Sequence, residues 1–318
     1  MCQQTQRQVY IVDYAEKGAI CLYDFAGGQL TLRQKLVLNY PSYLAIENDK
    51  LYAVLREPYG SGKESGILHF DMAADGTLSN PSELQPTGGI GCCHLCVRDG
   101  VVYDANYVSG SVNLLGQKTV AHQGKGTHPQ RQEAPHVHFT AVSPDGNYIL
   151  VCDLGLDTIF VYDLQLNLVS AARVPDGHGV RHLIPSEDGK TIYTANELTS
   201  DISVFAYEPG KLSYITTVAG LPEGENRENT AAAIKRKGNT LYISHRGVDA
   251  IAVFDISQRI PQMTGIFGCG GHSPRDFEIV DDYIIVNNED GVVAVFDAET
   301  HALTQTLQLQ STRCAIFR

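Results

Sequence analysis

The sequence predicts an all-β chain, folded as one seven-bladed β-propeller domain over residues 1–318. Three observations carry that expectation. The chain repeats itself about every 40 to 50 residues, and a fixed period of that length marks an array of stacked repeats. Strand-forming Val, Ile, Tyr, Phe and Thr are abundant, and no stretch sustains a helical apolar period. The two ends are complementary: the chain opens on two strands that lack the strand before them and stops after a lone one. Pairing that C-terminal strand with the N-terminal ones closes the ring and removes the sheet edges an open array would expose.

The elements follow in chain order. QVYIVDY and AICLYDF are the two opening strands. Weaker copies of the repeat run from Tyr43 to Phe70 and from His94 to Leu115. The clearest copy is PHVHFTAVSPDGNYILVCDLGLDTIFVYDL, from Pro135 to Leu164. Its echoes begin RHLIPSEDG at Arg181, TAAAIKRKG at Thr230 and RDFEIVDD at Arg275. Each unit reads as an apolar strand, a polar turn, a second strand ending in polar residues and a third strand written V-F/Y. CAIFR is the orphan, so residues Arg313 to Phe317 are expected to pair with strands near Val9 to Tyr14 and Ile20 to Phe25.

Composition narrows the function classes. The absence of Trp, and of any Gly-His to Trp-Asp pattern, argues against the WD-repeat scaffold propellers. A net charge of -12 disfavours nucleic acid as a partner. It leaves room for a small anion, which responds to local charge. The polar start MCQQTQRQVY shows neither a secretory signal nor a membrane span, so the expected location is cytoplasmic. Eight irregularly spaced cysteines fit reduced thiols. Cys92, Cys93, His94 and Cys96 have the residue types of a zinc site, but no second ligand pair at knuckle spacing follows. They are read as a Cys-rich strand start.

The repeat also locates a site. The start of each first strand and the end of each antiparallel second strand lie at the same edge of a blade. The first phase holds His94, His136, His138, His178, Arg181, His182, His272 and Arg275. The second holds Asn106, Asp153, Asn196, Glu197, His245, Arg246, Asn287 and Asn288. Imidazoles and guanidiniums therefore gather at one mouth, while the other receives turns such as Ser143 to Gly146 and Ser186 to Gly189. That segregation is what a binding site predicts. Asp153, Asn106 and Asn287 can equally close turns, whereas long charges in a narrow channel need partners or a ligand.

At these residues the chain resembles a known family. PHVHFTAVSPDGNYILVCDLGLDTIFVY, GHGVRHLIPSEDGKTIYTANELTSDISVF, NTAAAIKRKGNTLYISHRGVDAIAVF and SPRDFEI resemble successive signatures of the seven-bladed lactonase family, which includes propeller-type 6-phosphogluconolactonases and carboxy-cis,cis-muconate cyclases. The resemblance covers Pro135 to Phe296 most closely and is looser over the first two blades. It implies a site of His136 or His138 with Arg181, Glu197 and Arg246, with Arg275 beside them. His182, Asp153, Asn196 and His245 stand at the same mouth as candidate substrate contacts. His245 departs from the family pattern, where Asn is expected in many relatives, and a titratable ring there bears on ligand contacts.

Opening a lactone needs an activated water, a stabilised oxyanion and a proton for the leaving ring oxygen. His136 is the expected proton shuttle, Glu197 the base or orienting carboxylate, and the arginines the charge stabilisers. A guanidinium fork fits phosphate as well as carboxylate, so the expected partner is a small anionic lactone. No Gly-x-Ser-x-Gly elbow or phosphate-cradling glycine loop occurs, and no cofactor or metal is expected. The preferred reading is a 6-phosphogluconolactonase-like hydrolase of the pentose phosphate route. The alternatives are a muconate-type lactonising isomerase and a non-catalytic binding propeller. A metal-dependent lactonase using Asp153, Asn196 and Glu197 ranks below these.

Overall fold

The computed structural model describes residues 6–57 and 64–318. Seven separate antiparallel sheets follow one another around a central channel. Blade 1 is ordered, from the axis outward, Thr312–Phe317, Arg7–Asp13, Gly18–Ala26 and Gln29–Leu38. The C-terminal strand is therefore its innermost strand. It pairs with the N-terminal one in the register Val9 to Phe317 and Ile11 to Ala315, as the unmatched chain ends predict.

The inner strands of blades 2 to 7 are Pro41–Glu47, Cys92–Arg98, Val137–Val142, Val180–Pro185, Thr230–Lys237 and Pro274–Val280. Their second strands are Lys50–Leu55, Val101–Asn106, Tyr148–Asp153, Thr191–Asn196, Thr240–Arg246 and Tyr283–Asn288. Both faces of a blade pack on neighbours, so second and third strands are apolar runs without alternation. The core is accordingly divided into seven apolar clusters, one between each adjacent pair of blades.

Each blade also has an outer strand that the three-strand reading of the repeat omits. Leu168–Arg173, Gln262–Gly268 and Leu303–Gln308 alternate between exposed and half-buried positions. Such polar, twisted edges are how a sheet avoids pairing with another chain, and they carry little hydrophobic signal. In blade 2 the outer edge is split into Leu78–Ser79 and Gln85–Pro86, both paired with Gly66–Met72. At the mouth opposite the candidate site, the turn glycine Gly189 has φ +69°, and an added Cβ would lie 2.8 Å from Pro144. That backbone conformation favours glycine.

Candidate active site

All seven inner strands break register at their start. The bulged residue is Ser42, Cys93, His138, Arg181 and Arg275 in five blades; it falls within Ala232–Ala233 in blade 6 and Arg313–Cys314 in blade 1. A bulge re-aims a side chain out of the normal alternation. Here Ser42, Cys93, His138, Arg181, Arg275 and Arg313 all line one central cavity of about 600 Å³, counted to its open mouth.

A second ring comes from the residue that closes each second strand or directly follows it: Tyr14, Arg56, Tyr107, Leu154, Glu197, Arg246 and Glu289. Tyr14 and Arg56 reach the cavity wall themselves. Glu197 is buried and sits among three guanidiniums. Its Oε2 lies 2.9 Å from Arg181 Nε and 3.0 Å from Arg246 Nη2, and its Oε1 accepts from Arg131. Arg181 is 2 % exposed and donates through Nη1 to the Ala232 carbonyl at 2.8 Å. Arg246 donates to the Ala231 carbonyl at 3.2 Å.

On the other side of the cavity, Glu289 accepts from Arg313, from Arg275 at 2.8 Å and from the Ser273 hydroxyl at 2.7 Å. The Arg313 guanidinium also stacks 4.5 Å from the Tyr14 ring centre.

These contacts fix the charge states. Burial alone would raise the Glu197 carboxyl, but Arg246, Arg181, His138 and Arg131 together hold it well below the usual range. Glu289 is likewise held down to about 2: burial opposes, while Arg275, the Ser273 bond and Arg313 prevail. Burial and the neighbouring Arg246 bring Arg181 down to about 10, which still leaves it charged at neutral pH. Burial, then Arg181, pushes His138 well below its ordinary value. His138 is therefore neutral, and its Nδ1 is buried without a partner among the described residues. Asp276, on the cavity wall, is pushed up by burial despite Lys235, 4.0 Å away.

The structure brings together Arg181, Glu197, Arg246, Arg275, His138 and His182 around this cavity. His182 packs on Phe139 and lies 3.0 Å from Arg181 Nη1. His136 lies outside the group. Its ring stacks on Tyr107, Nδ1 is 3.1 Å from the Tyr107 carbonyl, and Nε2 is 3.2 Å from Glu133. The bulge gives the cavity position to His138, two residues on, so His136, the expected proton shuttle, does not line the cavity.

Three expected substrate contacts also face elsewhere. Asp153 accepts from the His136 backbone N–H at 2.8 Å and lies 2.6 Å from His122 Nδ1. Asn196 donates to Asp201 and Ser203. His245 is fully buried beside Asn229, with burial lowering its pKa to about 4. Each stands one residue before the second ring, and strand alternation turns it into the blade. They brace the loops of the mouth instead of lining the cavity.

The Cys92 to Cys96 cluster is divided between faces: Cys92 Sγ contacts the His94 carbonyl at 3.7 Å and Cys93 Sγ the Ala105 carbonyl at 3.7 Å. Among the described residues no group of three His, Cys, Asp or Glu side chains is placed to hold a metal ion.

Arg56, Arg313, Glu289, Tyr14 and Arg131 were not singled out from the sequence. Four of them had a signal. Aligning the inner strands PSYL, CCHL, VHFT, VRHL, TAAA, PRDF and TRCA on their second residue puts Arg313 in register with Arg275 and Arg181. Aligning the second-strand ends puts Tyr14, Arg56 and Glu289 in register with Glu197 and Arg246. Arg131 comes from the loop before blade 4 and has no counterpart in the repeat.

The same ring is found in known proteins. The pattern of the lactonase seven-bladed β-propeller family matches residues 8–316. The chain belongs to that family. A Staphylococcus saprophyticus relative of unassigned function is 30 % identical over 94 % of both chains. Among solved structures, this lactonase-family chain is similar to a Bacteroides fragilis protein provisionally named a 6-phosphogluconolactonase, at 26 % identity and TM-score 0.89, covering 100 % of this chain and 99 % of that one. It shares the fold of the Pseudomonas aeruginosa periplasmic gluconolactonase PpgL, at 24 % identity and TM-score 0.88, covering 98 % and 99 % of the two chains. Among the described residues, no helix is long and apolar enough to cross a membrane.

Proposed function

We propose that the protein hydrolyses an anionic sugar lactone, with 6-phosphogluconolactone as the preferred substrate and the oxidative pentose phosphate route as its setting. One observation carries the reading: a chain of net charge -12 lines its central cavity with Arg56, Arg181, Arg275 and Arg313. Cations concentrated in a recess of an acidic protein select an anion locally, whatever the net charge.

The chemistry assigns roles by what each group has free. Glu197 has its oxygens committed to three arginines and is a weak base, so it positions guanidiniums. His138 is neutral and its Nδ1 has no protein partner among the described residues, so, although burial weakens it as a base, it is the group placed to take a proton from the attacking water. The water oxygen then bonds to the lactone carbonyl carbon, Arg181 stabilises the oxyanion, and the ring C–O bond breaks as the proton on His138 passes to the leaving oxygen. No group changes oxidation state. The free cysteines Cys21, Cys92, Cys93, Cys96, Cys152, Cys269 and Cys314 fit a reducing cytoplasm.

The test is a panel of 6-phosphogluconolactone, unphosphorylated gluconolactone and carboxymuconolactone, each corrected for spontaneous hydrolysis. The expected result is fastest turnover of the phosphorylated lactone. Turnover of carboxymuconolactone alone would replace the sugar reading with the cyclase one, and turnover of none would remove the enzyme reading.

A further inference from the structure

The cavity arginines fall into two groups that differ in what they leave free. Those around Glu197 are each held by at least two protein partners: Arg181 and Arg246 meet the carboxylate and a backbone carbonyl, and Arg131 meets Glu197 and the Tyr107 hydroxyl, while the Nε of Arg181 and of Arg246 has no hydrogen-bond partner among the described residues. Across the cavity, Arg275 and Arg313 share the single carboxylate of Glu289, and the Arg313 Nε is buried with no hydrogen-bond partner. Arg56 lines the same wall and forms no ion pair among the described residues. Its neighbour Glu57 is engaged with the Tyr14 hydroxyl at 2.8 Å. The ratio of three guanidiniums to one carboxylate is the same as at Glu197, but here Arg56 has no ion pair and Arg275 and Arg313 each make one side-chain hydrogen bond among the described residues, which leaves more donors facing the cavity.

We infer that Arg56, Arg275 and Arg313 form an oxyanion subsite that holds the non-reacting terminal anion of the ligand. The inference deepens the lactone reading and rests on it for the rest of the substrate. It divides the site by task. The less-bonded group binds a phosphate monoester or a carboxylate, and the reacting carbonyl is directed across the cavity toward His138 and Arg181. Tyr14, whose ring face lies under Arg313, helps hold that guanidinium in place, which is what fork-to-oxyanion recognition needs. A burial-lowered pKa of about 10 for Arg313 agrees with a cation placed for a ligand more than for solvent.

The test reads binding without turnover. Isothermal titration with inorganic phosphate, and separately with succinate, is run on the full chain as wild type, Arg56→Gln, Arg313→Gln and Arg313→Lys, with circular dichroism to confirm folding. Arg56→Gln removes no ion pair formed by the described residues, so it keeps the test valid if Arg313→Gln misfolds. Phosphate affinity is expected to fall about 10- to 100-fold in each Gln variant, the loss of one charge-assisted contact. Arg313→Lys should recover part of it. Tighter binding of phosphate than succinate assigns the subsite to a phosphate monoester, and the reverse order to a carboxylate. Wild type that binds neither anion, or Gln variants that bind as wild type does, would overturn the subsite. A protein that binds phosphate through these arginines yet hydrolyses no lactone would instead sink the lactonase reading and leave the subsite standing.

Discussion

His138 and His136 are both histidines at one mouth, and only local geometry separates them. The sequence could not: they stand two apart, on what regular alternation makes the same face, and the bulge that sends His138 to the cavity leaves no residue signature. Replacing His138 with Ala should lower kcat by about two to four orders of magnitude with KM little changed, the scale of a lost proton-transfer group. His136→Ala should alter stability more than turnover, since its ring contacts are Tyr107 and Glu133. Steady-state kinetics on both variants would reverse the assignment if His136→Ala were the more damaged. Glu197 was legible as a charge at the channel mouth because charge in a narrow channel is rare, but its full set of partners was not, because Arg131 lies in an unrepeated loop. Glu197→Gln removes the anion from among Arg181, Arg246 and Arg131. The expected loss is about 3 to 5 kcal/mol of stability together with reduced turnover. Denaturant melts that match wild type would show the carboxylate is not what holds those arginines.

Among the elements, what could be read and what could not divide by burial. Inner, second and third strands announce themselves through apolar runs such as Tyr283–Asn288 and Val292–Asp297, which pack on both faces. Outer strands such as Leu303–Gln308 resemble loops, because their stability comes from one paired edge and not from burial. Turns were legible through their chemistry. In Ser186 to Gly189 the Ser186 hydroxyl donates to Asp188 at 2.7 Å, and the chain reverses at a glycine with φ +69°. Gly189→Val should therefore destabilise the protein by roughly 1 to 3 kcal/mol, from left-handed strain and the approach to Pro144. Because this turn lies at the mouth opposite His138, kcat per folded molecule should stay at the wild-type value. A fall in kcat without a fall in the melting temperature would mean the two mouths are coupled.

Taken as a whole, the ring concentrates its buried titratable groups around the channel, and that sets its response to acid. His94, His138 and His182 are all held well below their ordinary value, chiefly by burial. The unfolded chain binds their protons below about pH 6.5 while the folded one does not, so stability falls as pH drops through that value, by up to about 1.4 kcal/mol per pH unit for each histidine. Glu197 and Glu289 are depressed, so their contribution is present above about pH 4.5 and is lost below it, toward their folded values. Melting temperatures should decline from about pH 6.5 and more steeply below about 4.5. Asp104 and Asp276, whose carboxyls burial pushes up, add stability as pH falls and blunt the decline; imidazole signals of His94, His138 and His182 that titrate near pH 6.5 would contradict their buried neutral state. Closure of the ring makes the strongest demand. Cys314 packs in the cluster between blades 1 and 2, and Ala315 in the cluster between blades 7 and 1. One strand thus seals two interfaces. Deleting residues 312–318 should abolish the cooperative thermal transition, since it opens both clusters and unpairs Arg7–Asp13 in a fold stabilised by only about 5 to 15 kcal/mol. The Arg318 backbone N–H donates to the Gln8 carbonyl at 2.9 Å, so the two ends already meet. A circular permutant that joins Arg318 to Arg7 through a short Gly-Ser linker, with new ends in the exposed turn near Glu223, should fold and melt cooperatively. If the deletion variant melts like wild type, the C-terminal strand is not what closes the ring; if the permutant fails while the deletion also fails, closure depends on chain order and not on pairing alone.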